Sequence, residues 1–203
     1  MGDSLRVVLA TKNHGKVAEI KAILGGLPIQ LATLEDFPEI ESAREDGATF
    51  EENAIKKARS VWQATCLTSV ADDSGLEVDA LEGAPGIFSA RFAGEGASYE
   101  ANNRKLLGLL QSIPDDKRTA RFVCVAALFT RDGSLALERG TLEGIITRQP
   151  RGQHGFGYDP VFYVPAYGQT VAELSEEVKN AISHRAKAFA GIRRRLGRLA
   201  SAL

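Results

Sequence analysis

Residues 119–130, TARFVCVAALFT, form the clearest strand in the chain, and Arg131-Asp132-Gly133-Ser134 directly after them is a hairpin turn signal. A run this apolar, rich in β-branched and aromatic residues, commits the chain to a sheet. The returning partner falls in residues 135–139, and a further strand in 141–147. Upstream the pattern is different. Residues 5–10 (LRVVLA) are a buried strand, and from Lys16 onward Val17, Ile20, Leu24 and Leu27 recur at helical spacing until Gly25-Gly26 supplies a stop. A second strand at 29–34 precedes an acidic loop with Glu35, Asp36, Glu39, Glu41, Glu45 and Asp46. Thr49-Phe50-Glu51-Glu52 has the form of a capping box opening a helix through about Thr65.

Short strands at 68–71 and 76–81 flank Asp72-Asp73-Ser74-Gly75, and a Gly/Pro loop follows them. Residues 98–113 are helical, with Leu106, Leu109 and Leu110 on one side. The loop PRGQHGFGYDP leads into a strand VFYV, Thr170–Glu173 offers a second capping box, and 183–199 is a basic helix. Strands and helices alternate first and strands cluster afterwards. The expected fold is therefore α/β, a mixed central sheet flanked by helices rather than a doubly wound parallel one.

Composition narrows the function classes. The chain has 203 residues, 44% hydrophobic and 25% charged, as an ordinary soluble globular protein does. A net charge of −1 gives no basis for broad attraction to nucleic acid or membrane. Cys66 and Cys124 lie in apolar runs and read as reduced core residues of a cytoplasmic protein. The opening MGDSLRVVLAT has too short an apolar run for a signal peptide, and no stretch could span a bilayer.

Several stretches can carry chemistry, and each has a plainer alternative. In LATKNHGK the Gly15-Lys16 pair sits where a strand turns into a helix, yet a P-loop needs a glycine at position 10 and a Ser or Thr at 17, which here are Ala and Val. Lys16 either holds a phosphate by another arrangement or is a solvated lysine. Asp72-Asp73 is either a turn or a divalent metal site, since Mg²⁺ takes one or two carboxylates plus substrate phosphates. Successive strand residues face opposite sides, so in a regular strand one aspartate meets the metal while the other supports the turn. Glu52 and Lys56 support a surface helix at i,i+4, whereas Lys57 lies one turn on from Asn53 and could share its face. Gly155 and Gly157 let backbone approach a flat ligand on which Phe156 could stack, or Phe156 and Tyr158 go to the core. His184-Arg185 near Lys179 fits a pocket or a basic amphipathic helix. Arg193-Arg194-Arg195 is a solvated or interface face, and His14 and His154 lack zinc spacing.

Taken in order, these motifs closely resemble the inosine/xanthosine triphosphate pyrophosphatases. The resemblance rests on T-x-N-x-G-K at 11–16, DGATFEENAIKKA at 46–58, ADDSGLEVDAL at 71–81, GAPGIFSARFAG at 83–94, ARFVC at 120–124, GFGYDPVF at 155–162 and EEVKNAISHRAKA at 176–188. It implies hydrolysis of ITP, dITP or XTP to the monophosphate and pyrophosphate, with Mg²⁺ and water. It also implies one pyrophosphatase domain over 1–203, elongated and two-lobed with a substrate cleft between the lobes, and a homodimer.

By motif, Thr11, Lys12, Asn13, His14, Gly15 and Lys16 form the triphosphate-binding turn, and Lys57 is a further phosphate lysine. Asp73 matches the family's proton acceptor and metal carboxylate, and Ser74 contacts the nucleotide. Phe156, Gly157, Tyr158, Asp159, Lys179, His184 and Arg185 form the nucleotide and base pocket. The second metal carboxylate precedes the DG-x-TF motif, where this chain reads Ala43-Arg44-Glu45, and Glu45 is the residue carried over. The expected roles follow: Asp73 orients or deprotonates the water, Lys16 and Lys57 stabilise the leaving pyrophosphate, and donors from His184 and Arg185 reward the C6 oxygen of hypoxanthine or xanthine over the amino group of adenine. Other readings are a non-hydrolytic purine nucleotide sensor, a nucleotide pyrophosphatase of different base preference, and a nucleic-acid-binding module resting on the basic C-terminal helix.

Overall fold

The computed structural model describes residues 4–202. The elements run β1 (Leu5–Leu9), α1 (His14–Leu24), β2 (Ile29–Thr33), α2 (Phe50–Thr65), β3 (Thr68–Val78), α3 (Tyr99–Leu109), β4 (Thr119–Phe129), β5 (Leu135–Ile146), β6 (Phe162–Val164), β7 (Gln169–Thr170), α4 (Glu176–Ile182) and α5 (His184–Ala200). They make a seven-stranded sheet in the order β2-β1-β3-β4-β5-β6-β7. β1 is parallel to both β2 and β3, with Val7 opposite Leu31 and Thr68, whereas β6 is antiparallel to β5 and to β7. The sheet is mixed, as the switch from alternating to clustered elements predicts.

The chain divides into two compact units. The first holds the chain up to Asp73, residues 124–140, and the chain from Arg185 onward; the second holds 74–123 and 141–184. Each has its own apolar core. In the first, Ile20 and Leu24 of α1 and Phe189, Ile192 and Leu196 of α5 pack with Val7, Leu9, Val70, Cys124, Ala126 and Leu128. Arg193 ties those two helices together by donating to the carbonyls of Ile23 and Gly25 at 2.7 Å, which satisfies acceptors that a helix end leaves open. In the second, Leu106 and Leu110 pack with Leu76, Val78, Phe122, Leu142, Ile146, Tyr158 and Phe162. Arg118 is buried there, and its guanidinium donates to the carbonyls of Ile146, Leu110 and Thr147.

The structure corrects five local expectations. Residues 68–78 are one strand, not two around a turn, and 135–146 are likewise one strand. The turn propensity of Asp-Asp-Ser-Gly is overridden because cations engage the two aspartates where they stand in the strand. Leu109 is 50% exposed, since the buried stripe of α3 is Asn102, Asn103 and Leu106 and continues to Leu110. Cys66 is exposed, not in the core: it ends α2 in the left-handed conformation, φ 55°, its N–H bonded to Trp62 O. The Thr49 box forms by half. Thr49 Oγ1 accepts from Glu52 N–H, but Glu52 accepts from Ala48 N–H one residue early. The Thr170/Glu173 box is complete and opens a short 3-10 turn, Val171–Glu173.

Candidate active site

β3 organises the chemistry of the first unit. Its even residues face α1 and α5: Val70 joins that core, and Asp72 meets Lys16 and Arg185. Its odd residues face α2: Ser69 donates to Ala58 O, and Asp73 meets Lys57 and Asn53. The two aspartates thus point to opposite faces, as strand geometry requires.

Asp72 is fully buried. Its Oδ2 accepts from Lys16 Nζ at 3.1 Å and from Arg185 Nη2 at 3.1 Å, with Cys124 Sγ at 3.9 Å. Its Oδ1 is buried and lacks a hydrogen-bond partner among the described residues. Burial alone would raise this carboxyl, but Lys16, Arg185 and Lys57 outweigh it and hold it far below the usual carboxylate range. Arg185 also donates to Glu19, a buried acid on α1. Burial opposes the charge of Arg185, and Asp72 and Glu19 more than restore it. Burial and the charge of Asp72 push the Cys124 thiol up, so it is an inert core group as expected.

On the other face, Lys57 Nζ bridges two carboxylates, at 2.8 Å from Asp73 Oδ1 and 2.7 Å from Glu45 Oε1. Burial disfavours its charge, but Asp73, Asp72 and Glu45 prevail and hold the ammonium more firmly than in free lysine. For Asp73, burial raises the carboxyl above its ordinary value; Lys57 and Lys16 pull against this, and Glu45 adds to it. Asp73 is therefore a more basic carboxylate than Asp72, its neighbour in sequence. Asn53 Nδ2 donates to Asp73 Oδ2 at 3.3 Å.

The turn before α1 is shaped by its own side chains. Thr11 Oγ1 accepts from Asn13 N–H at 3.2 Å, and Asn13 Oδ1 accepts from Lys16 N–H at 3.1 Å, so Asn13 is the N-cap of α1. A cap of this kind stabilises a helix by about 1 kcal/mol. Of the side chains expected to hold phosphate, Lys16 lies on the carboxylate cluster. Lys12 is exposed, and His14 is exposed and sits 3.6 Å from Glu35.

In the second unit, Asp159 Oδ2 accepts from Lys179 Nζ at 2.5 Å and from Phe156 N–H at 2.9 Å. The Lys179 ammonium lies 4.7 Å from the Phe156 ring centroid, within cation–π range. Gly155, at φ +77°, is required there, because a Cβ would fall 2.1 Å from Asp159 Oδ2. Asn103 holds the next turn through Gly157 O at 2.9 Å. His184 is buried and stacks on Phe122, centroids 4.8 Å apart. Ser74 lies half-buried on β3.

Two expected pocket residues fall elsewhere. Tyr158 is a core residue whose hydroxyl donates to Ser89 O at 2.9 Å. Arg185 joins Asp72 and Glu19, because consecutive residues of a helix point about 100° apart and His184 and Arg185 cannot share a direction.

The Ham1 family model matches residues 7–195. The chain belongs to the Ham1 family. Two similar proteins are the dITP/XTP pyrophosphatases of Geobacter sulfurreducens, 54% identical over 95% of this chain and 96% of the relative, and of Escherichia coli K12, 49% identical over 91% and 94%. A solved Ham1 protein from Coxiella burnetii aligns with TM-score 0.86 at 43% identity, covering 95% of this chain and 98% of that one. A Staphylococcus aureus Ham1 structure aligns at TM-score 0.84 and 42% identity, over 94% and 97%. The mixed sheet is thus the family's fold.

Sequence reading gave no role to Glu19 or Asn53. Glu19 carries a faint signal, as it adjoins Ile20 on the buried face of α1. Asn53 is marked only by its place one turn before Lys57.

Proposed function

We propose that the chain hydrolyses the deaminated purine nucleoside triphosphates ITP, dITP and XTP to the monophosphate and pyrophosphate, working as one pyrophosphatase domain over 1–203. The observation that carries this reading is the convergence of Asp73 and Glu45 on one cationic nitrogen, Lys57 Nζ, with the Lys16–Asp72 pair on the other face of the same strand. Carboxylate oxygens that converge on an ammonium can converge on a divalent cation, and Asp73 and Glu45 are hard oxygen donors that suit Mg²⁺. Among the described residues no group of three or more His, Cys, Asp or Glu could hold a metal by itself, so substrate phosphates would complete the shell. Mg²⁺, when bound, supplies charge neutralisation of the triphosphate.

The remaining work belongs to the side chains. Lys16 and Lys57 offset phosphate charge and stabilise the departing pyrophosphate. Asp73, the more basic of the two aspartates, orients the water that attacks the α-phosphorus and takes its proton. The backbone at Gly15 and the first turn of α1 present N–H groups to phosphate. Phe156 offers a face for the purine, and Lys179 and His184 supply donors that favour an oxygen at C6. Adenine would set its amino group against those donors.

A homodimer in the cytoplasm completes the reading; light scattering in solution tests the dimer. Among the described residues no helix is long and apolar enough to cross a membrane. Pyrophosphate release measured over ATP, GTP, ITP, dITP and XTP, with and without Mg²⁺, tests the function. Fast release from the deaminated substrates that depends on Mg²⁺ is expected. Equal release from ATP, or none from any nucleotide, would overturn the proposal.

A further inference from the structure

Helix α2 presents Asn53 and Lys57 one turn apart, and both side chains grip the same two objects. One is Asp73. Asn53 Nδ2 donates to its Oδ2 at 3.3 Å, and Lys57 Nζ donates to its Oδ1 at 2.8 Å, so each carboxylate oxygen has its own donor. The other is the acidic loop: Asn53 Oδ1 accepts from Gly47 N–H at 2.8 Å, and Lys57 Nζ donates to Glu45 Oε1 at 2.7 Å. These two ties, at Glu45 and Gly47, are the part-buried and buried ones; on the exposed side Lys56 Nζ donates to Asp46 Oδ1 and Glu52 Oε2 accepts from Ala48 N–H, each at 2.8 Å.

Asn53 is 1% exposed, so its amide works away from water, where an unmade hydrogen bond costs about 1–3 kcal/mol. Its orientation is fixed by its partners, since only the oxygen can serve the Gly47 N–H and only the nitrogen can serve a carboxylate. Gly47 fits this arrangement. A Cβ there would stand 2.6 Å from Asn53 Oδ1 and 2.9 Å from Glu52 Cβ, so any side chain would push the loop off the amide.

The geometry points to Asn53 as a positioning residue for hydrolysis, a latch that holds the 45–47 loop and Asp73 in the one arrangement in which Glu45, Lys57 and Asp73 meet. The inference rests on the pyrophosphatase reading and deepens it. What marks Asn53 is the identity of its partners, the backbone two residues from Glu45 and the carboxylate of Asp73 itself. The Asn53 amide is taken up by Gly47 N–H and Asp73 Oδ2, so its loss acts through the placement of the loop and of Asp73. The signature is a fall in kcat with KM retained.

Two variants separate the halves of the latch. Asn53→Ala removes both bonds. Asn53→Asp keeps an acceptor for Gly47 N–H but sets a carboxylate oxygen against Asp73 Oδ2. Both should lower kcat for dITP by about 10²-fold, the cost of an ångström-scale misplacement, with KM within about twofold. Amide hydrogen exchange gives a readout free of activity. In Asn53→Ala the Gly47 N–H should exchange at least ~10-fold faster, while in Asn53→Asp it stays protected. In both variants the Ala10 N–H, bonded to Val70 O at 2.7 Å, keeps its protection and reports an intact fold.

A folded Asn53→Ala with kcat within about threefold of the parent, or with unchanged Gly47 exchange, overturns the inference. Should Asn53→Ala fail to fold, Asn53→Asp and Gly47→Ala decide: loss of kcat in both supports the latch, and normal kcat in either refutes it. A parent protein that releases no pyrophosphate overturns the pyrophosphatase reading, while Gly47 exchange still judges the latch.

Discussion

In the first unit, two lysines, an arginine and four carboxylates gather on the two faces of a single strand; Glu19, Asp72, Asp73 and Arg185 are buried, and Lys16, Lys57 and Glu45 are part-buried. In the second, one Lys179–Asp159 pair stands beside the Phe156 ring, and His184 lies against Phe122. Dense charge suits a reaction whose barrier is electrostatic, because fixed charges in a dry site act far more strongly than in water. A ring, a cation and an imidazole suit choice among flat bases that differ in one exocyclic group. The cluster also has internal order. Asp72 is engaged by both Lys16 and Arg185, and its carboxyl is held low, whereas burial raises that of Asp73.

Each part of this contrast can be broken. The largest effect belongs to Asp73→Asn, which should lower kcat by about 10³-fold while circular dichroism and melting stay those of a folded protein. Normal turnover in this variant would remove the base from the cluster. Asp72→Asn should act on stability: it removes the carboxylate charge that Lys16 and Arg185 share, leaving Arg185 on Glu19, and breaking a buried pair costs ~3–5 kcal/mol, read by urea unfolding. The pH dependence follows from the depressed carboxyl of Asp72. Its contribution is fully present at neutral pH and down to about 4, the ordinary carboxylate value. It is lost only as pH falls further, through the depressed folded value. The gap between parent and variant should therefore remain at pH 4 and close only in stronger acid. Phe156→Leu should have the smallest effect, raising KM for dITP about tenfold with kcat little changed, as expected for loss of base stacking. A fall in kcat alone would move Phe156 out of the recognition group.

The sequence made the sheet legible because long β-branched runs and glycine stops are local signals, and β1, α1, β2 and α2 fall close to where periodicity puts them. Asp-Asp-Ser-Gly read as a turn because turn propensity is local, while the cations that keep it in a strand come from residues 16, 57 and 185. Lys16, Lys57, Asp73 and Glu45, singled out by motif, stand together in the first unit. Arg185 was misdirected because reading His-Arg as one feature ignores the rotation between adjacent helical positions. Tyr158 was misplaced because a glycine-flanked tyrosine serves a ligand or a core equally well. Glu19 and Asn53 could not be singled out from the sequence, since their contacts are with partners that only the fold brings near.

On the proposed function the charged cluster performs the chemistry and the aromatic group chooses the base. The most direct test of this is kcat/KM for dITP and for dATP in the parent, in Asp73→Asn and in His184→Ala. Asp73→Asn should depress both substrates alike and leave their ratio unchanged, while His184→Ala should lower the dITP preference by at least ~10-fold. An altered ratio in Asp73→Asn, or an unaltered one in His184→Ala, would contradict that division of labour.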